Sequence, residues 1–314
     1  MRTIDTIDPN AVTLPELARA IAASGDVRRL LELARDEDLG VPPRDLTGEL
    51  AFTTEDRRRV RVAARSPGVA AGLAFLPEVI GVFADAGEPI ALTNLRHDGE
   101  PIRPGDTLAE LEGSARAIVR IERTLLNLTA RLCGVATRTA TFVRAIEGTH
   151  ARICDTRKTT PGMRLLEKYA VRCGGGLCHR LGLHDAVLIK DNHIAGVPPE
   201  QLAAMLARVA TKAKSTGGVL RFIQAEVDTL DQLDRVLGLP SGLIDMVLLD
   251  NMPPATLREG VRRRNDRAPR LILEASGGVT LDTVRAIAET GVDRISVGGL
   301  THQAVSLDLG LDAA

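Results

Sequence analysis

The chain has 314 residues, 40 Lys/Arg against 41 Asp/Glu, and 44% apolar residues. That length allows two domains or one barrel with an appended domain, and the apolar share supplies a buried core, so disorder is not the default. Scarce aromatics (no Trp, one Tyr, five Phe) argue against a stacking platform for nucleic acid, and no apolar run approaches the ~20 residues of a membrane span.

MRTIDTIDPN at the start lacks a basic segment followed by an apolar core, so no signal peptide is expected. Leu14 to Leu39 then carries helical periodicity, with Pro15 suited to a first turn. Arg59 to Ala64 alternates like a strand, and His97-Asp98-Gly99-Glu100 and Pro104-Gly105-Asp106 mark turns between short strands. Ser114 caps a predicted long helix to about Glu147, with Ile118, Ile121, Leu125 and Leu128 on its apolar face.

The pattern changes after about residue 150. Short β-type runs recur at Ala151–Cys154, Ala186–Ile189, Phe222–Val227, Met246–Leu249, Leu271–Leu273 and Arg294–Val297. Helix-like segments separate most of them: Pro161–Cys173, Pro199–Ala213, Thr229–Leu237, Pro254–Arg263 and Leu281–Glu289. Such alternation predicts parallel strands, and with no GxGxxG after the first strand a β/α barrel is expected rather than a dinucleotide-binding fold.

Chemistry gathers just after these strands, where barrels place their active sites. Arg152 to His193 holds eight Lys/Arg against four Asp/Glu, three histidines and the run Gly174-Gly175-Gly176. Cations beside backbone-permissive glycines suit a small, highly anionic ligand. Arg157, Lys158, Arg180 and Lys190 supply charge from different loops, arginines gripping carboxylates in bidentate fashion and lysines acting as point charges on phosphate. His179 fits either a hydrogen bond to a substrate carboxylate or a structural role. Glu226 and Asp250, in or after apolar strands, suit Mg²⁺ with ligand phosphates, or ion pairs with Lys158 or Lys190. Ser276-Gly277-Gly278 and Gly298-Gly299 suit a phosphate cradle. Cys133, Cys154, Cys173 and Cys178 form no CxxC pair and lack a fourth ligand for zinc at plausible spacing, so four free thiols in a reducing cytoplasm are expected.

At these residues the chain resembles the quinolinate phosphoribosyltransferases, also called carboxylating nicotinate-nucleotide pyrophosphorylases. The matching pieces are Glu37-Asp38-Leu39-Gly40, Asp45-Leu46-Thr47, IERTLLNLTARLCGVAT (Ile121–Thr137), DTRKTTPG (Asp155–Gly162), EKYAVRCGGG (Glu167–Gly176), HRLGLHDAVLIKDNH (His179–His193), LLDNM (Leu248–Met252), LEASGG (Leu273–Gly278) and ISVGGLTH (Ile295–His302). The resemblance implies an α/β fold: an N-terminal α/β sandwich over residues 1–132, an incomplete β/α barrel over 133–299, and residues 300–314 packed back on the first domain. It implies a homodimer or higher homo-oligomer with shared sites, with neither a nucleic-acid nor a membrane partner.

The implied reaction joins quinolinate to phosphoribosyl pyrophosphate, with Mg²⁺, releasing pyrophosphate and CO₂ and forming nicotinate mononucleotide for NAD synthesis. By motif match, Arg157, His179, Arg180 and Lys190 surround the quinolinate carboxylates, Thr156 also binds substrate, and Arg123 reaches the partner subunit's site. Lys158, Glu226 and Asp250 hold the ribose and the Mg²⁺-pyrophosphate and form the catalytic set, while Ser276-Gly277-Gly278 and Val297-Gly298-Gly299 cradle the 5′-phosphate.

Four departures stand out. The strand commonly reading EVE is Gln224-Ala225-Glu226, Cys178 replaces a frequent Asn, Cys133 replaces a common Ser, and the segments around Ser215–Arg221 and Gly238–Gly242 are longer than usual. The rivals are pyrophosphorylase-like proteins associated with molybdate transport, nicotinate phosphoribosyltransferase and a non-catalytic nucleotide-binding homologue. Lys190-Asp191-Asn192-His193 disfavours the first, the paired arginines with His179 the second, and retention of Lys158, Glu226 and Asp250 the third.

Overall fold

The structure, a computed structural model, describes residues 4–83 and 88–314. They fall into two compact units: one takes in the N-terminal part to Ala140 with Lys158–Gly175 and Gly299–Ala314, the other Thr141–Arg157 with Gly176–Gly298. Lys158–Gly175 therefore clusters with the N-terminal unit rather than with the strands on either side of it.

In the first unit, β1 (Arg57–Ala64) alternates over its centre, with Val60 and Val62 buried and Arg59 and Arg61 exposed, the period 2 of a half-buried strand, and ends on the buried pair Ala63 and Ala64. Two short strands, β2 (Gly68–Val69) and β4 (Pro101–Ile102), pair with each other. β3 (Ile90–Asn94) and β5 (Thr107–Ser114) complete an antiparallel sheet in the order β12-β1-β5-β3, where β12 (Leu309–Ala313) is the last strand of the chain. Helices accompany it, making an α/β sandwich. The predicted Leu14–Leu39 helix is two helices, Leu14–Ala22 and Asp26–Leu39, because Gly25 between them takes a left-handed φ of +79°. Ala115–Ala145 is one long helix with Ile118, Ile121, Leu125 and Leu128 buried, and the Ser114 hydroxyl accepts the Ala117 N–H at its start.

Glu167 ties this unit together. Fully buried, it accepts two hydrogen bonds from Arg131 at 2.7 and 3.1 Å and two more from the Thr160 backbone and hydroxyl. Arg131 also donates to the Thr301 and Ala304 carbonyls, and Thr301 donates to the Lys158 carbonyl at 2.6 Å. The loop carrying Lys158 is thus anchored, leaving its side chain exposed. Gly174 and Gly175 have a packing role. A Cβ on Gly174 would lie 2.4 Å from the Ala136 carbonyl oxygen, and Gly175 has φ +85°, so the run lets the chain turn tightly against the long helix.

The second unit contains β6 (Arg152–Cys154), β7 (Val187–Ile189), β8 (Ile223–Val227), β9 (Met246–Asp250), β10 (Ile272–Ser276) and β11 (Arg294–Ser296). They pair in parallel in the order β6-β11-β10-β9-β8-β7, so the last strand returns beside the first. β6 and β7 do not pair as strands. Leu177 lies beside β6 instead, in a single parallel bridge to Cys154. The result is an incomplete β/α barrel. β9 and β10 run further than their apolar cores suggest, making Asp250 and Ser276 the last strand residues rather than loop residues.

Candidate active site

Partners in a parallel ladder share a sheet face, and so do residues two apart. The pairs Leu188↔Gln224, Glu226↔Leu248, Leu248↔Glu274, Asp250↔Ser276 and Glu274↔Arg294 therefore put Gln224, Glu226, Asp250, Glu274 and Ser276 on one face, with Lys190 following Ile189 at the end of β7. The opposite face of β8 is Ile223, Ala225 and Val227, all buried.

Within this unit the cations and carboxylates meet in pairs. Lys190 Nζ lies 2.8 Å from Glu226 Oε2, the ion-pair alternative for Glu226 with Lys190 as the partner. Arg180 is buried, and its pKa is pushed down by desolvation and by Arg157, while Asp185 and Glu226 act in the opposite direction. The loop after Arg180 is clamped by Asp185, which accepts from the Leu181 and Gly182 N–H groups and from Arg221 Nε at 2.8–2.9 Å. Burial pushes Asp185 up, but those donors outweigh it and its pKa is lowered.

His179 is held from every side. Its backbone N–H donates to Asp155 Oδ1 at 2.7 Å, and its ring packs edge-to-face on Phe222. Nδ1 accepts the Arg180 N–H at 2.8 Å, so a neutral ring carries its proton on Nε2, which lies 2.9 Å from Gln224 Oε1 and 3.4 Å from Glu274 Oε1. Both ring nitrogens face protein partners, the arrangement that its structural reading calls for. The fully buried Glu274 is pushed up by desolvation, yet His179, the Ser296 hydroxyl and Arg294 bring it below its ordinary value.

At the ends of β9 and β10 the backbone is unusual. Asn251 has φ +52°, donates from Nδ2 to Asp250 Oδ2 at 2.6 Å, and donates its N–H to the Ser276 carbonyl. Gly277 sits at φ +92°, where a Cβ would approach Asn251 Oδ1 to 2.1 Å. Only glycine fits that turn. Gly278, also left-handed at φ +59°, is exposed with nothing within 4 Å of a built Cβ. Val297, buried after β11, donates its N–H to the Cys154 carbonyl and leads into Gly298.

Thr156 and Arg157 follow β6 and are half-buried. Lys158, Gly299 and Arg123 belong to the other unit. There the Gly299 carbonyl accepts from Arg138 Nε at 2.6 Å, and Arg123 is exposed on the long helix, paired with Glu122 and bordering a groove of about 520 Å³ lined by Leu30, Leu31, Asp38, Asn127 and Met163. Sequence reasoning missed Asp155, Asp185, Asn251 and Glu274 as site-building residues. A carboxylate inside an apolar strand flagged Glu226 and applied equally to Glu274.

The quinolinate phosphoribosyl transferase C-terminal domain matches residues 135–312, and the N-terminal domain of the same family matches residues 45–133. The chain belongs to the quinolinate phosphoribosyltransferase family. It is 38% identical over 286 residues to a probable carboxylating nicotinate-nucleotide pyrophosphorylase of Bacillus subtilis, spanning 91% of this chain and 93% of that one. It is 43% identical over 252 residues to the carboxylating nicotinate-nucleotide pyrophosphorylase of Mycobacterium leprae, spanning 79% and 84%. The solved nicotinate-nucleotide pyrophosphorylase of Francisella tularensis superposes with a TM-score of 0.79 at 33% identity, over 98% of this chain and 99% of that one.

Proposed function

We infer that this chain is a decarboxylating phosphoribosyltransferase that joins quinolinate to phosphoribosyl pyrophosphate, forming nicotinate mononucleotide, pyrophosphate and CO₂ in the synthesis of NAD. The observation that carries the reading is the set Arg157, Arg180 and Lys190 beside Glu226 at the strand ends of a member of this family. Two polyanionic substrates repel each other, and fixed cations offset that repulsion. Arg157 and Arg180 grip the carboxylates of quinolinate with Lys190 and Thr156, and His179 acts by aiming Arg180.

Glu226 and Asp250, on neighbouring strands and one face, stabilise positive charge at ribose C1 as pyrophosphate leaves, with Lys158 on the pyrophosphate. The pyridine nitrogen attacks C1 from the opposite face, so positioning carries much of the rate. The turns at Ser276-Gly277-Gly278 and Val297-Gly298-Gly299 cradle the 5′-phosphate.

Among the described residues no group of three or more His, Cys, Asp or Glu forms a metal cage. Glu226 and Asp250 fit a cation that brings its own ligands, as Mg²⁺ does with pyrophosphate oxygens and water. Held by Glu226 and Asp250, Mg²⁺ would supply positive charge to offset the negative charge of the pyrophosphate. We also place the enzyme in the reducing cytoplasm, where its four buried free thiols persist, and as at least a homodimer in which Arg123 serves the partner's site.

Purified protein given Mg²⁺, quinolinate and phosphoribosyl pyrophosphate is expected to release CO₂ and nicotinate mononucleotide in equal amounts. Turnover of nicotinate in place of quinolinate would overturn the substrate assignment. Sedimentation as a monomer at assay concentration, with activity intact, would remove the dimer.

A further inference from the structure

Lys190 and Glu226 are given separate tasks above, one on the dicarboxylate and one on the ribose, yet their side chains hold each other at 2.8 Å. Glu226 is 7% exposed and also acts electrostatically on Arg180, while the Lys190 side chain is 44% exposed. The neighbouring groups are committed elsewhere. Asp185 is taken by Leu181, Gly182 and Arg221, Glu274 faces His179, and Asp250 accepts from Asn251. Arg180 has a backbone pinned by the His179 ring and a following loop clamped by Asp185. Lys190 is the half-exposed member of the set, a point charge on a four-carbon stem whose pair with Glu226 is open on the lysine side. Toward these cations Glu226 stands where a substrate carboxylate would stand.

We propose that Glu226 is an internal competitor of the pyridine dicarboxylate: entry of the dicarboxylate draws Lys190 off Glu226 and thereby releases that carboxylate for the second substrate. The proposal rests on the assignment of the site to quinolinate and phosphoribosyl pyrophosphate. Its consequence is positive coupling between the two substrates. The free energy spent on breaking the Lys190–Glu226 pair is spent once, by whichever ligand binds first, and linkage requires the coupling to be equal in both directions. A permanent structural pair has the opposite consequence, since neither ligand then gains from the other.

Phthalate is the probe, because a benzene 1,2-dicarboxylate presents both carboxylates and lacks the nitrogen that attacks ribose. Calorimetric titration of the full chain is expected to show Glu226→Gln binding phthalate about three- to tenfold tighter than wild type, with the gain falling below about twofold in a Lys190→Gln background. Unchanged or weaker binding by folded Glu226→Gln overturns the exchange. A gain of equal size without Lys190 also overturns it, since that outcome reports only the loss of a negative charge. A second measurement needs no variant: phthalate is expected to bind wild type more tightly with Mg²⁺ and phosphoribosyl pyrophosphate present, and independence or mutual weakening overturns the proposal. If wild type takes up neither phthalate nor quinolinate at all, the site assignment itself falls, a result distinct from every arm that tests the exchange.

Discussion

Glu167 and Glu226 are both carboxylates buried against a basic side chain, yet the structure treats them differently. Glu167 is fully buried, receives four hydrogen bonds, and its partner Arg131 is itself spent on two backbone carbonyls. Glu226 lies against a lysine whose side chain is 44% exposed and which is pinned by no other side-chain bond described above. An ion pair whose remaining donors and acceptors are all used is part of the fold. One with spare capacity and an open side is available to a ligand. Charge and burial alone do not separate the two; saturation of the hydrogen-bond network does.

The sharpest way to break this contrast is Glu167→Ala, which leaves the Arg131 guanidinium without its carboxylate. It is expected to destabilise the protein by about 3–5 kcal/mol, read as a fall in the denaturant midpoint. A loss below about 1 kcal/mol would return Glu167 to the class of Glu226.

Asp185 gives an intermediate case on the acid side. Its folded pKa lies below the ordinary carboxylate value, so the native state binds fewer protons there than the unfolded state. The stability it contributes is present above the unfolded pKa and is lost as pH falls through the folded one. Asp185→Asn is expected to melt lower than wild type at pH 7 and to lose less on acidification from pH 5 to pH 2. Parallel melting curves would show that the Leu181, Gly182 and Arg221 donors do not depend on the charge.

The smallest effect belongs to the open pair. Glu226→Gln is expected to change stability by about 1 kcal/mol or less in thermal melts, because the pair it removes is partly solvated. The same variant is expected to lose about a hundredfold or more in turnover with quinolinate. A large stability loss with activity retained would invert the comparison.

Much of the site was readable before the structure because it sits at strand ends, and strand ends follow from local runs such as Met246–Leu249 with Asp250 next in line. Gln224 was readable only as a departure from the family's acid; that it meets His179 required the segment before β7 to pack against β8. Glu274 was passed over because the apolar run at Leu271–Leu273 stops short of it, whereas the strand continues to Ser276. The glycine run at Gly174–Gly176 read as a ligand loop, since local sequence cannot tell a glycine needed for a close approach of backbone to helix from one needed for a close approach to phosphate. Gly278 has the same composition and the opposite surroundings, with nothing within 4 Å of an added Cβ.

The sequence by itself determined the alternation of strands and helices, the long helix behind Arg123, and the roster of cations, carboxylates and glycines that the motifs carry. These depend on periodicity and residue chemistry over a few residues. Tertiary structure alone decided that β11 returns to β6 while β7 stays unpaired with it, that Glu226 takes Lys190, and that both nitrogens of His179 are used by the protein. The reason is range. A ladder register or a buried hydrogen bond joins residues tens of positions apart, and which donor reaches which acceptor follows from the packing of strands whose own sequences do not name their neighbours.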